Sequence, residues 1–225
     1  MKINTLLCCF VCSVFTILQA QDSSPLFFSE YAEGSSYNKY VEIYNGSDSE
    51  VDLANYEIWK IANGGEWTES SLSLSGSIGA GDVFVVAYCS GNNCADEFIL
   101  AQADLETNNS TMNYNGDDAI GLAHNGVLID AIGTNGADPG AQFSVCEDGD
   151  TKDNTLVRNC EVTSGADWSV SSSIETCQWT VLPNNTWTDV GVHTFCGSVD
   201  PCASVLCEEG YECVDGDCVA VEDCI

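Results

Sequence analysis

The sequence predicts an all-β protein, two sheets packed face to face as a sandwich, with a small disulfide-rich C-terminal tail. Three observations carry this. Apolar residues recur with a period of two, as in Tyr40-Val41-Glu42-Ile43-Tyr44, where Val41 and Ile43 alternate with Tyr40, Glu42 and Tyr44. Short β-branched and aromatic runs such as Val83-Phe84-Val85-Val86-Ala87-Tyr88 recur from Leu26 to about Thr194, separated by Gly, Asn, Asp and Ser clusters. No segment in that range carries the period of an amphipathic helix.

In chain order, the first element is an address. Lys2 supplies a positive start, Leu6 to Leu18 is an uncharged apolar run, and Gln19-Ala20-Gln21 offers a small residue for cleavage. The run is shorter than the ~20 residues a bilayer-spanning helix needs. Residues 1–20 are therefore expected to be a secretory signal peptide, and the mature chain to be secreted, with no membrane insertion.

The strand-rich segment follows over residues 21–198. Its clearest local element is a hairpin, Ile120-Gly121-Leu122-Ala123 and Val127-Leu128-Ile129-Asp130, joined through Asn125-Gly126. Asn-Gly favours a type I′ turn, because both central residues need positive φ. A segment of this size can bury one continuous core between two sheets.

Residues 199–225 differ in composition. Asp200-Pro201 marks the boundary, since Pro cannot continue a ladder. Beyond it stand Cys202, Cys207, Cys213, Cys218 and Cys224, with eight acidic residues and no base. So small a segment cannot build its own apolar core and needs covalent cross-links.

Charge excludes several function classes. The chain has 5 Lys+Arg against 35 Asp+Glu, a formal net charge of -30. Without the signal peptide only Lys39, Lys60, Lys152 and Arg158 remain as bases. Nucleic acid is not expected as a partner, because phosphate binding needs clustered Lys and Arg, and the same deficit argues against anionic membrane surfaces. With 2 His, imidazole-based catalysis is hard to assemble. His124 flanks the Asn-Gly turn and reads as a solvated turn residue; His193 reads as part of a scaffold strand. No Gly-x-Ser-x-Gly elbow is present. No enzyme activity and no required cofactor are expected.

Of the 14 Cys, three leave with the signal peptide. The sandwich keeps Cys89, Cys94, Cys146, Cys160, Cys177 and Cys196, which in an exported chain read as disulfides. Fifteen pairings are open; local closure suggests Cys89–Cys94 and Cys146–Cys160, leaving Cys177–Cys196. A zinc site is the competing reading, but Cys89-x4-Cys94 has no second close pair or His beside it. The eleven remaining Cys are odd in number, so Cys224 is a candidate for a disulfide-linked dimer or for pairing with a further C-terminal extension.

Two other groups of residues invite ligand readings. Glu147, Asp148, Asp150 and Asp153 gather carboxylates in one loop, a candidate calcium site by oxygen count although not an EF-hand; a solvated acidic loop is the competing reading. Trp59, Trp67, Trp168, Trp179 and Trp187 are chiefly core candidates. Trp67, in a Gly-rich loop, is the one expected to be exposed for a glycan ligand. Glycosylation sequons stand at Asn45, Asn108, Asn109 and Asn184, and are expected at the surface.

The run from Leu26 through Glu33, Gly34, Lys39, Glu42 and Asn45 resembles the opening of a lamin-tail domain. Val51-Asp52-Leu53, Gly116-Asp117-Asp118, Asn125-Gly126, Ile132-Gly133-Thr134, Asp153 to Arg158 and Trp187 to Thr194 fit the same pattern. The resemblance implies an immunoglobulin-like β-sandwich. Exported members are similar to this chain, and in them the domain accompanies nucleases, phosphatases or adhesion modules. The resemblance therefore implies a non-catalytic binding, adhesion or structural module, whose partner is an extracellular protein or glycan. The alternatives are the accessory domain of a secreted nuclease or phosphatase, and a calcium-dependent binder. The tail resembles part of an epidermal-growth-factor-like or follistatin-like module, short of its usual six Cys.

Overall fold

The computed structural model describes residues 24–196, 211–214 and 217–220. The expected signal peptide, Cys202, Cys207 and Cys224 lie outside the described residues. The strands are β1 Leu26–Glu33, β2 Lys39–Asn45, β3 Val51–Asp52, β4 Tyr56–Ile61, β5 Ser70–Ser73, β6 Ser77–Ile78, β7 Val83–Ser90, β8 Asn93–Cys94, β9 Leu105–Thr107, β10 Ala119–His124, β11 Val127–Ile132, β12 Ser144–Val145, β13 Gly149–Asp150, β14 Asn154–Arg158, β15 Trp179–Pro183, β16 Tyr211–Val214 and β17 Asp217–Ala220. Two single-turn helices, α1 Glu97–Leu100 and α2 Trp168–Ser171, and one 3-10 turn at Ser110–Met112 interrupt them.

A seven-stranded sheet runs β15-β14-β1-β2-β7-β8, with β9 also on β7, and a four-stranded sheet runs β11-β10-β4-β5. The core lies between them: Leu26, Phe28, Val41, Ile43 and Val86 from the first sheet meet Ile58, Ile120, Leu122 and Ile132 from the second. This is the two-sheet sandwich the strand pattern predicts, of the immunoglobulin-like kind that the family resemblance implies. The β10–β11 hairpin closes through Asn125 and Gly126 at φ 51° and 75°, the left-handed pair that its turn residues favour.

Simple alternation holds along β2 and breaks in β1. The register slips between Phe28 and Glu30, so two consecutive residues face away from the core opposite one partner, as in a β-bulge. Phe28 faces in before the slip and Tyr31 after it. Glu30 thereby becomes the outward cross-strand neighbour of Glu42. Outward is not exposed, however, since every residue of β1 and β2 is buried. α1 and the 187–195 segment lie over that outer face, where Ile99 and Val190 pack on Tyr40, Ala32 and Ala87, and Phe195 packs near Phe27 and Tyr44. An extra layer on one sheet is what the two-sheet reading did not contain.

In the tail, β16 and β17 form a hairpin that sets Cys213 opposite Cys218, and Cys218 is disulfide-bonded.

Candidate functional site

The bases are placed contrary to what their charge suggests. Lys39, Lys60 and Arg158 are all buried. Lys39 Nζ donates to Glu33 Oε1 at 2.5 Å, and Lys60 Nζ to the carbonyls of Ser110 and Asn113 at 2.6 and 3.0 Å. Arg158 Nε donates to the Phe28 carbonyl at 3.0 Å and Nη1 to Gln178 Oε1 at 3.0 Å, while Nη2 meets Asp130. Its guanidinium lies 3.9 Å from the Trp179 ring centroid, a cation–π contact in a desolvated setting. Among the described residues Lys152 is the one exposed base. Each buried cation has its donors taken up by carbonyls or carboxylates, which is the condition for burying it at all.

Two carboxyls sit under the outer layer. Glu30 Oε2 accepts from Tyr40 Oη at 2.5 Å, and its Oε1 has no partner among the described residues. Glu42 accepts from Ser29 Oγ at 2.7 Å and from the Gly191 amide at 2.7 Å. Burial first, and then the neighbouring Glu42, push the Glu30 carboxyl up to about 8. Burial pushes Glu42 to about 7, against the downward pull of its Ser29 and Gly191 bonds. A sequence reading missed this pair; the available signal was Glu42 between Val41 and Ile43, and Glu30 inside the otherwise largely apolar run Leu26–Ala32.

The cysteine pairing needs correcting in part. Cys89–Cys94 is present, but the other bridges are Cys146–Cys177 and Cys160–Cys196, not the nearest-neighbour closure. After Cys146 the chain runs through β13 and β14, which carries Cys160 away. The Cys146 amide donates to the Ser172 carbonyl and Gln178 to Ser171, bringing Cys177 alongside, while the Cys196 amide donates to the Cys160 carbonyl. The only group of three His, Cys, Asp or Glu among the described residues with ligand atoms within 4.8 Å of one another is Cys160, Glu161 and Cys196, whose two sulfurs share one bridge.

Glu147, Asp148, Asp150 and Asp153 do not converge. Asp150 Oδ1 accepts from the Lys152 amide and Asn154 Nδ2, both at 3.0 Å, and Asp153 Oδ1 accepts from Asn184 Nδ2 at 3.3 Å. Glu147 and Asp148 are exposed. Asp150 shapes the loop's own turn, and Asp153 ties the loop to Asn184.

Both imidazoles are packed on aromatic rings. His124 stacks on Tyr56 with centroids 4.3 Å apart, so it is not simply a solvated turn residue. His193 lies outside any strand, edge-on to Tyr44 at 4.7 Å and to Phe27 at 6.0 Å. Burial and the nearby Arg158 lower its pKa, which favours the neutral ring.

Of the sequons, Asn45 is buried, against the expectation. Its Nδ2 donates to the carbonyls of Ser49, Ile78 and Gly79 at 2.8–3.0 Å. Asn109 Oδ1 accepts from the Thr111 amide and Asn184 Oδ1 from the Ser35 amide. Asn108 is exposed.

Trp59, Trp168 and Trp179 are buried, and Trp67 and Trp187 half-buried. Trp67 lines a cleft of about 260 Å³ with Leu128, Thr134, Asn135, Asp167 and Trp168. It rests on the outer face of the four-stranded sheet. A Cβ at Gly121 would come within 3.2–3.3 Å of its ring.

Fold and cross-links together define a disulfide-closed, immunoglobulin-like β-sandwich with an extra layer over one sheet. The family profile of the lamin tail domain matches residues 19–136, more than half of the 225-residue chain, and the chain belongs to that family. A comparison with curated proteins found no match. No helix among the described residues is long and apolar enough to cross a membrane.

Proposed function

We propose that the chain is an exported, non-catalytic binding module. The observation that carries this reading is the set of three disulfides, Cys89–Cys94, Cys146–Cys177 and Cys160–Cys196, because such bridges persist in oxidising compartments. Cys89–Cys94 closes the β7–β8 hairpin, while Cys146–Cys177 and Cys160–Cys196 fasten the loops around α2 and the 187–195 layer to the sandwich, giving a rigid frame that presents its surface. The groups able to do chemistry are spent on that frame: both imidazoles lie against aromatic rings, and Arg158, Lys39 and Lys60 are bound in the interior. Expression in a secreting host tests the reading. The expected result is recovery of the chain from the medium with a mature N-terminus at Gln21 and no alkylatable thiol among the six sandwich cysteines. Retention inside the cell with those thiols reduced would overturn it.

A further inference from the structure

The outer face of the four-stranded sheet carries one half-exposed indole held in a fixed place. Gly121 lies mid-strand in β10 opposite Trp59, a position where glycine ordinarily weakens a strand. Here it gives Trp67 and Leu128 a floor: an added Cβ would lie 2.5 Å from Leu128 and 3.2 Å from the Trp67 ring. The loop bearing Trp67 is pinned to the loop after β11 by reciprocal amide bonds between Gly65 and Gly136, at 2.8 and 2.7 Å. The cleft between them is therefore formed before any ligand arrives, which keeps the ordering cost of binding low.

Its rim is acidic. Asp167 is exposed, and its carboxylate makes no capping bond to α2. Asn135 Nδ2 donates to Glu66 Oε2 at 3.0 Å, which fixes a second carboxylate beside the opening. No base lines the cleft. Beyond the rim the surface field has one sign, because three of the four sandwich bases are buried. An anionic ligand is repelled by such a rim. A cation is attracted by the indole face and paired by the carboxylates, and a basic partner is steered toward the surface before contact.

We propose that the Trp67 cleft receives a cationic side chain, an arginine or lysine of a basic partner protein. This rests on the reading of the chain as a binding module and adds the place and chemistry of the contact. The probe is a tetra-arginine peptide, with its tetra-citrulline counterpart as an uncharged isostere, titrated into the secreted, disulfide-bonded chain while tryptophan fluorescence is followed. The arginine peptide is expected to bind about tenfold more tightly than the citrulline peptide, with affinity falling as salt rises. Trp67→Leu, which keeps an apolar cover over Gly121, is expected to weaken binding about fivefold or more, and Asp167→Asn about threefold. Glu97→Gln, on α1 over the opposite sheet, removes the same charge and is expected to change affinity less than about twofold.

Equal losses from Asp167→Asn and Glu97→Gln, or none from Trp67→Leu, would assign the binding to the general field and overturn the cleft. Binding of a neutral oligosaccharide such as chitotriose in preference to the arginine peptide would make the cleft a sugar site and overturn the proposal likewise. A chain retained in the cell with reduced thiols overturns the exported reading alone, whereas loss of discrimination between arginine and citrulline overturns the cleft alone.

Discussion

Arg158 of β14 and Asp130 of β11 join the two sheets through an ion pair in which both side chains are wholly buried. Asp130 is more than a counter-ion. Its Oδ2 also accepts from the Phe28 amide at 2.8 Å, and its Oδ1 from the Ala166 amide at 3.0 Å. Removing either partner leaves an uncompensated charge in the core. Asp130→Ala and Arg158→Met are each expected to cost about 3–5 kcal/mol, read as urea midpoints. The double variant is expected to cost less than the sum, because the second change removes the orphaned charge. Strict additivity, or single losses near zero, would show that the pair does not hold the sheets.

Glu30 and Glu42 give stability a pH dependence of definite sign. Both have folded pKa values above the unfolded carboxyl value, about 8 and about 7. Their stabilising contribution is complete below the unfolded pKa and is lost as pH rises through the folded values. The groups facing them are Tyr40 of β2, Asp104 before β9 and Asp189 of the covering segment, so among the described residues no neighbouring cation offsets their ionisation. Surface carboxylates have finished titrating by about pH 6. His193, its pKa lowered by burial and Arg158, acts with the opposite sign, adding stability as pH rises through the free imidazole value, so a fall above about pH 6 is left to this pair. The melting temperature is expected to fall by several degrees from about pH 6 to about pH 9. Glu30→Gln is expected to flatten most of that slope, and an unchanged slope would remove Glu30 as its source.

The bridges predict separable effects. Non-reducing peptide mapping is expected to join Cys146 to Cys177 and Cys160 to Cys196. In the chain-entropy model, loops of this length contribute about 3–4 kcal/mol each. Cys160→Ser with Cys196→Ser also frees the end of the segment whose Gly191 amide reaches Glu42. Hydrogen exchange over residues 187–195 is expected to rise in that variant and to stay near wild type when Cys146 and Cys177 are replaced instead. Equal exchange in both would show that the Gly191 and Val190 contacts hold the layer unaided.

What was legible in the sequence was local. Asn125-Gly126 specified its own turn, and the alternation of Val41 and Ile43 specified which face of β2 meets the core. Cys89 and Cys94, five residues apart, had only a short loop to close. The remaining features depend on contacts distant in sequence. Cys160 meets Cys196 because β14 and the end of the covering layer converge. Glu30 lies beside Glu42 because of a one-residue bulge that no periodicity announces. Lys39, Lys60 and Arg158 go inside because carboxylates and carbonyls from other parts of the fold take up their donors. The Trp67 cleft was half legible: its Gly-rich loop suggested exposure, while its floor at Gly121, over fifty residues later, did not show.

Asn45 puts the same distinction to a direct test. As a sequence motif it is equivalent to the other acceptor sites; as a residue it is a structural clamp. Its Nδ2 reaches three carbonyls, and its Oδ1 accepts from the Ser47 amide at 3.0 Å and from Ser47 Oγ at 2.7 Å. A glycan on Nδ2 would remove donors that those buried carbonyls need, so a folded chain cannot carry one there. In a glycosylating host, mass spectrometry of tryptic peptides is expected to find Asn45 bare and exposed Asn108 occupied. Asn45→Asp keeps the acceptor and turns the donor into a charge facing three carbonyls, an expected loss of about 2–3 kcal/mol. Asn108→Asp is expected to change stability by less than about 0.5 kcal/mol. Glycan at Asn45 in folded, secreted protein would mean that the β2–β3 connection closes in some other way.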